Sequence, residues 1–408
     1  MLKNYIKIAL KVLLRRKFYT FISLFAISFT LVVLMVTTAI LDHMYAPIPP
    51  ETKLDRTLGV FYMDMIGPQA QWNGNPGYGF LNKYVRGLAN VEQFSIFADH
   101  HDVASYKDGA EIKSSLKRTD GAYWKILEFT FLEGRPILDD DEKNANFVCV
   151  INEETRRKFF GEEPALGKFI EADRQRFQVV GVVENVPPIR PVPYADIWVP
   201  NSTSPQVSER ERLMGNHIGL LLARDRDDFP SIKREFQSRL ASVQMPDAEY
   251  DHMEGTPETF FENSAPEDIK TGKGTLLIAV IVLFMLLFML LPTINLVNIN
   301  MSRILERSSE IGVRKSFGAS SWMLVGQFII ENLILTTIGG AIGFLLAAIV
   351  LEILNGSGLV QFAHFTLNLR VFGYGAVMIL VFGLLSGVYP AWRMSRIHPV
   401  LALKGVVR

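Results

Sequence analysis

Four runs of this sequence are too long and too apolar for an ordinary soluble core: Phe18–Leu41, Gly274–Met301, Met323–Leu351 and Val371–Trp392. A hydrocarbon layer needs about 20 apolar residues in a helix, and lipid offers no partner for a backbone N–H or C=O. Each run is therefore predicted to cross a membrane as an α-helix. Only the third carries a charge, Glu331. The expected fold class is an α-helical membrane protein with four transmembrane helices. A large α+β extracytoplasmic domain is expected between helices 1 and 2, where about 230 residues, ample for an independent core, separate the spans.

Basic residues set the orientation. Lys3, Lys7, Lys11, Arg15, Arg16 and Lys17 precede the first span. Arg303, Arg307, Arg314 and Lys315 lie between the second and third, and Arg393, Arg396, Lys404 and Arg408 follow the fourth. The loop Glu352–Leu369 has no Lys or Arg. Both termini are thus predicted to be cytoplasmic. The resulting division is an amphipathic interfacial helix over 1–17, spans at 18–41, 273–301, 323–351 and 371–392, an outer domain over 42–272, a cytoplasmic loop over 302–322, a short outer loop over 352–370 and a tail over 393–408. The first span is expected to be an uncleaved anchor, because no small-residue cleavage site follows it.

Charge and cysteine usage exclude several classes. Lys plus Arg (42) balances Asp plus Glu (42), so the chain has no overall basic bias that would favour nucleic acid as a partner. Cys149 is the single cysteine, which rules out an internal disulfide or a CxxC pair. Asp99-His100-His101-Asp102 reads as polar surface, since adjacent histidines on a strand point to opposite faces. Asp139–Glu142 reads as a solvated turn, lacking the spaced ligands and Gly of a calcium loop. Gly272-Lys273-Gly274-Thr275 lacks the strand, spacing and soluble helix of a phosphate loop, so no ATPase site, catalytic residue or metal site is expected.

In the outer domain, Phe147–Ile151, Phe177–Val183, Ile197–Val199 and Ile218–Ala223 read as strands. Phe229, Ile232, Phe236, Leu240 and Val243 form the stripe of an amphipathic helix, and with the strand before it suggest half of a β-α-β unit. Residues 64–80, rich in Gly, Pro and Asn, read as a loop; Val186–Pro193 reads as extended and irregular; 244–272 reads as a polar stalk. In the spans, Gly339 with Gly343 and Gly383 with Gly387 are small-xxx-small pairs, serving contacts either within the chain or between two copies. Gln327 shares a helix face with Glu331, which is expected to pack near the cytoplasmic loop.

The segment from Glu306 to Ser320, ERSSEIGVRKSFGAS, is too charged for lipid. As a helix it places Glu310 four residues before Arg314, the favourable order for an ion pair, with Ile304, Leu305, Ile311 and Val313 as apolar contacts and Gly318 as a stop. Glu306-Arg307, Glu310-Ile311-Gly312, Arg314-Lys315 and Gly318-Ala319 resemble the cytoplasmic signature of the MacB/FtsX family of ABC-transporter permeases. Asn295, Asn298-Ile299, Gln327-Phe328, Glu331, Gly339-Gly340, Gly343, Gly387, Pro390-Ala391, Pro399 and Ala402-Leu403 resemble the family's spans and closing motif, with Lys404 where Arg is usual. Gly134-Arg135, Phe159-Phe160-Gly161, Gly167-Lys168 and Val179–Val182 resemble its periplasmic core.

The resemblance implies a dimeric permease of the bacterial cytoplasmic (inner) membrane, formed with a second copy or a paralogue and surrounded by membrane lipids. A separate cytoplasmic ABC ATPase subunit would dock on the 306–319 segment. This chain would hold no cofactor; ATP and Mg would be used by that partner. Its work would move the outer domain (mechanotransmission) and so export or release a peptide, lipid-linked or drug-like substrate, with a periplasmic adaptor as a further partner. The alternative it implies is an FtsX-like scaffold that passes the ATPase state to cell-wall hydrolases.

Overall fold

The computed structural model describes residues 11, 13–15, 17–107, 110–205, 211–245, 249–264, 313 and 321–366, with isolated positions 369, 372, 373, 377 and 381. The chain divides into two compact units. One comprises Met1–Asp42, Glu267–Leu359 and His364–Arg408; the other comprises His43–Pro266 and Val360–Ala363.

Among the described residues two helices are long and apolar enough to cross a membrane: α1, Lys17–Tyr45, and α6, Ser321–Ser357. They contain the first and third predicted spans. The second span and most of the fourth lie outside the described residues. The two helices pack through Ile27, Leu31 and Met35 of α1 and Leu335 and Ala347 of α6.

The second unit is layered around a three-stranded antiparallel sheet. It consists of β1 (Thr57–Val60), the central β13 (His217–Ala223) and β4 (Val91–Ala98). Both faces of this sheet are covered, which explains why Ile218–Ala223 is an unbroken apolar run and not an alternating one. On one face Leu58, Ile96 and Leu221 meet Ile232, Phe236 and Leu240 of α4 (Phe229–Leu240). On the other, Phe97, Leu220 and Leu222 meet Trp124, Val150, Val183 and Trp198.

Those last residues belong to a seven-stranded sheet or its flanks. Its order is β5 (His101–Lys107), β6 (Ala110–Thr119), β11 (Ile197–Pro200), β8 (Val148–Asn152), β10 (Gln175–Val183) and β7 (Phe131–Gly134), with β9 (Phe169–Ala172) paired to β10. The pairs β6/β11 and β8/β10 are parallel. The far face carries α3, Glu153–Phe160, whose Phe159 packs with Cys149, Phe177 and Val179. Asn152 starts that helix by accepting the Thr155 N–H at 2.8 Å. A third sheet has the order β12 (Met214–Gly215), β3 (Gln71–Pro76), β2 (Met63–Ile66), β14 (His252–Glu254).

The four strands and the amphipathic helix read from the sequence are all present, α4 ending at Leu240. Four expectations for this unit need correction. Residues 64–80 are mostly a hairpin, not a loop, because Met63 and Met65 alternate into the core and tertiary packing outweighs the Gly/Asn composition. The 244–272 stretch contains β14, held to β2 with Met253 buried, and the short helix α5, Phe260–Ser264. No β-α-β unit is made by β13 and α4: β13 has antiparallel neighbours on both sides, and the strand after α4 joins another sheet. Asp139–Lys143 is a helical turn, α2, and its Asp141 is 4 % exposed, not solvated. The Arg135 guanidinium draws it in, at 2.6 Å, with Leu138 N–H and Asn146 completing the site.

Candidate functional site

The expected ATPase-coupling set, Glu306, Arg307, Glu310, Ile311, Gly312, Arg314, Lys315, Gly318 and Ala319, lies outside the described residues, as do Gly383 and Gly387. Gln327 and Glu331 lie on α6, and Glu331 is buried together with Asn332 and Thr336. Gly339 and Gly343 serve a contact within the chain. A Cβ on Gly339 would stand 2.8 Å from Ile27 Cγ2, and one on Gly343 would stand 3.0 Å from both Leu31 Cβ and the Ser28 carbonyl. At this closest approach Ser28 Oγ donates to the Gly339 carbonyl at 2.9 Å.

The outer-domain motifs converge on β10. Gly134 pairs with Gly181, and the chains come so close that a Cβ at either would fall within 2.3 Å of a neighbouring carbonyl. Gly167 N–H donates to Val179 O, and Val179 N–H to Lys168 O, both at 2.8 Å. These residues fix the fold of the seven-stranded sheet.

A different set of side chains gathers where α1 ends. The ring of Tyr45, its last residue, lies 5.8 Å from Phe260 and 5.3 Å from Phe261 of α5. Beyond it runs Ala46-Pro47-Ile48-Pro49-Pro50-Glu51. The prolines have no N–H, so the segment is rich in acceptors and poor in donors. Arg190 supplies the donors. Its guanidinium reaches the Ala46 carbonyl and, at 2.8 Å, the Ile48 carbonyl. Its Nε lies 3.3 Å from the Glu51 carboxylate, without hydrogen-bond alignment. Arg190 is 1 % exposed and Glu51 5 %.

The loop that carries Arg190 is itself anchored. Lys117 on β6, fully buried, donates to the carbonyls of Pro191 and Val192, each at 2.6 Å, and Tyr123 OH donates to Val192 O at 2.9 Å. Hydrogen bonds thus run without a break from the segment after α1, through Arg190 and its loop, to the seven-stranded sheet. Burial pushes the Glu51 carboxyl up to about 7, against the pull of Arg190 and Lys117. Burial likewise pushes the Lys117 ammonium down to about 7, against Asp99 and Glu51. Burial also lowers Arg190, opposed by Glu51. A second attachment lies just beyond: Glu128 N–H donates to Pro50 O at 2.7 Å, and half-buried Lys53 and Thr52 meet the Glu128 carboxylate.

Sequence reasoning missed Glu51, Lys117 and Arg190. For Arg190 a signal exists: it is the lone charge in Val186-Pro-Pro-Ile-Arg-Pro-Val-Pro193, where no other side chain could answer a buried acceptor. Lys117, in a polar strand between Leu116 and Arg118, gives none.

The MacB-like periplasmic core domain matches residues 20–239, and the FtsX-like permease C-terminal family matches 282–399. The macrolide export ATP-binding/permease protein MacB of Wolinella succinogenes is 28 % identical over 295 residues, 71 % of this chain and 43 % of that protein. This chain therefore spans less than half the length of that relative. The uncharacterized ABC transporter permease YknZ of Bacillus subtilis is 22 % identical over 331 residues, 79 % of this chain and 77 % of that one. The solved extracellular domain of a YknZ transporter from Gram-positive bacteria is 17 % identical, with a TM-score of 0.36, covering 48 % of this chain and 100 % of that one. With more than half of its residues matched by one family and most of the remainder by its companion, the chain belongs to the MacB/FtsX-like ABC transporter permeases.

Proposed function

We propose that this chain is the mechanotransmitting permease subunit of a MacB/Lol-type transporter in the bacterial inner membrane, with both termini cytoplasmic. A separate cytoplasmic ATPase subunit hydrolyses ATP with Mg. Its closure displaces the segment carrying Glu306, Arg307, Glu310, Ile311, Gly312, Arg314, Lys315, Gly318 and Ala319. The spans carry that displacement outward, and the outer domain moves to export or release a peptide, lipid-linked or drug-like substrate. The permease performs no chemistry of its own and works as a dimer.

The observation that carries this reading is the continuity of α1 with the outer domain. A helix of 29 residues, Lys17–Tyr45, passes directly into a segment hydrogen-bonded to the domain it precedes. Gly/Ser-rich linkers behave as flexible coils, whereas proline-rich segments are extended and semi-rigid spacers.

The decisive experiment reverses the charges of the proposed coupling helix with Glu310→Arg and Arg314→Glu, each alone and together. The single variants should lose the ATPase subunit on affinity purification from detergent and lose vanadate-sensitive ATP turnover. If the complex and its turnover survive in all three variants, the coupling role is wrong.

A further inference from the structure

We propose that Arg190 is the positioning residue through which a displacement of α1 enters the outer domain, a step that rests on the mechanotransmission reading above.

The argument is geometric. After Tyr45 the helix is over, and the chain must pass its position to three sheets. Between the helix end and Pro50, where Glu128 N–H takes hold, Arg190 is the described residue that donates side-chain hydrogen bonds to this segment. One planar guanidinium spans two carbonyls, Ala46 and Ile48, and also faces the Glu51 carboxylate. A lysine could not reproduce that fork. On its other side, Arg190 sits in a loop closed on itself by Arg190 N–H to Pro187 O at 3.0 Å and Tyr194 N–H to Arg190 O at 3.1 Å. Lys117 and Tyr123 then join that loop to β6 and to the aromatic core around Trp198. The local shape of the segment does not depend on Arg190. Ile48 N–H still donates to Ala46 O at 2.9 Å, and Glu51 N–H to Ile48 O at 2.8 Å. Removing the guanidinium therefore takes away the ties at Ala46 and Ile48, leaving the segment held only at its two ends, by Tyr45 and by Pro50.

A merely structural ion pair behaves differently. Removing one partner of a buried pair destabilises by leaving a charge unmatched, and replacing both with apolar side chains restores stability. The double variant Glu51→Met/Arg190→Met should therefore recover the fold. It cannot recover the two carbonyl ties.

The test uses the full chain with its co-purifying ATPase subunit in lipid nanodiscs, read by hydrogen exchange with and without ATP plus vanadate. In the wild type, trapping should change exchange in β6 and β11. In the double variant, melting temperature, ATPase binding and turnover should stay near wild type, turnover within about twofold, while the trapping-dependent change in β6 and β11 is lost. Arg190→Lys, which keeps a cation beside Glu51, should lose most of the change as well. Retention of the full wild-type change in either folded variant overturns the role of Arg190. Absence of any change in the wild type is a separate result: it defeats the mechanotransmission reading, and this proposal with it.

Discussion

The packing of α1 against α6 makes a graded prediction with its control built in. Gly339 and Gly343 face α1, but Gly340, between them, has nothing among the described residues within 4 Å of where a Cβ would stand. Gly339→Ala sets a methyl 2.8 Å from Ile27 Cγ2 and 3.0 Å from Ile27 Cβ. Gly343→Ala sets one 3.0 Å from Leu31 Cβ and from the Ser28 carbonyl. These neighbours lie at or beside the backbone and cannot swing away, so the helices must part by about 0.5–1 Å, a gap that forfeits a quarter to a half of the dispersion attraction between the facing atoms. Parting also stretches the Ser28–Gly339 hydrogen bond, a kind of interaction worth about 0.6 kcal/mol between membrane helices. Overpacking of this size costs about 1–3 kcal/mol. The double variant should cost less than the sum of the singles, because one separation relieves both clashes. Equilibrium unfolding in mixed detergent micelles reads these differences directly. Gly340→Ala should lie within about 0.5 kcal/mol of wild type, as unstrained substitutions do. Equal behaviour of the three single variants, or a larger effect at Gly340, would refute the assignment of Gly339 and Gly343 to packing within the chain.

Other perturbations test the outer domain. The carboxyl of Glu51 is raised from 4.5 to about 7, so its contribution to stability is fully present below pH 4.5 and lost as pH rises through 7, a change of about 3 kcal/mol. Glu51→Gln does not titrate; relative to wild type it should gain about that amount between pH 4 and pH 8, as read from exchange of β8 and β10 amides. Lys117 runs the opposite way, its contribution falling as pH drops from 10.5 towards 7, and Glu51→Gln, by removing a charge that raises it, moves it further in the same direction. Asp141 runs the other way. Burial raises its carboxyl, but Arg135, the Leu138 N–H and Asn146 outweigh this and hold it below 3.8. Asp141→Ala should cost about 3 kcal/mol above pH 5 and less as pH falls through the carboxylate range. Phe236→Ala, which empties the space beside Phe80 and Ile232 in a fully packed layer, should cost about 3–5 kcal/mol in thermal or denaturant unfolding of the same unit.

How much of the fold and of the junction is legible in the sequence depends on how local each signal is. The strand at Val148–Asn152 and the stripe of Ile232, Phe236 and Leu240 announce themselves because apolar periodicity is set by burial, which acts residue by residue. The hairpin of β2 and β3 does not, since Asn73, Gly74 and Asn75 have low strand propensity and hold their place only through long-range pairing. Asp141 is hidden for the same reason: four consecutive acids look solvated until Arg135, six residues earlier, folds back over one of them. The Glu51–Arg190 pair joins positions 139 residues apart, and no periodicity spans that distance. The two described spans are legible by length and composition, whereas the partner of Gly339 and Gly343 is not.

The residues that carry the family resemblance in the outer domain and those that gather at the junction play different physical parts. Gly134 and Gly181 are explained by how closely the backbones of β7 and β10 approach, Gly167 by its positive φ of 78°, and Val179 by its hydrogen bonds to Gly167 and Lys168. Glu51, Lys117 and Arg190 present the reverse case. Folding alone does not favour burying three ionisable groups, because desolvation works against each and an apolar trio of similar volume is often as stable or more so. What an ion pair provides that apolar packing does not is direction. A guanidinium held to two carbonyls resists sliding as well as separation, whereas apolar surfaces slip past one another at little cost. A junction that only had to hold two parts together could use leucines. One that must hand on a displacement of α1 without slippage gains from a fork of hydrogen bonds, and this is the arrangement found between Arg190 and the chain after Tyr45.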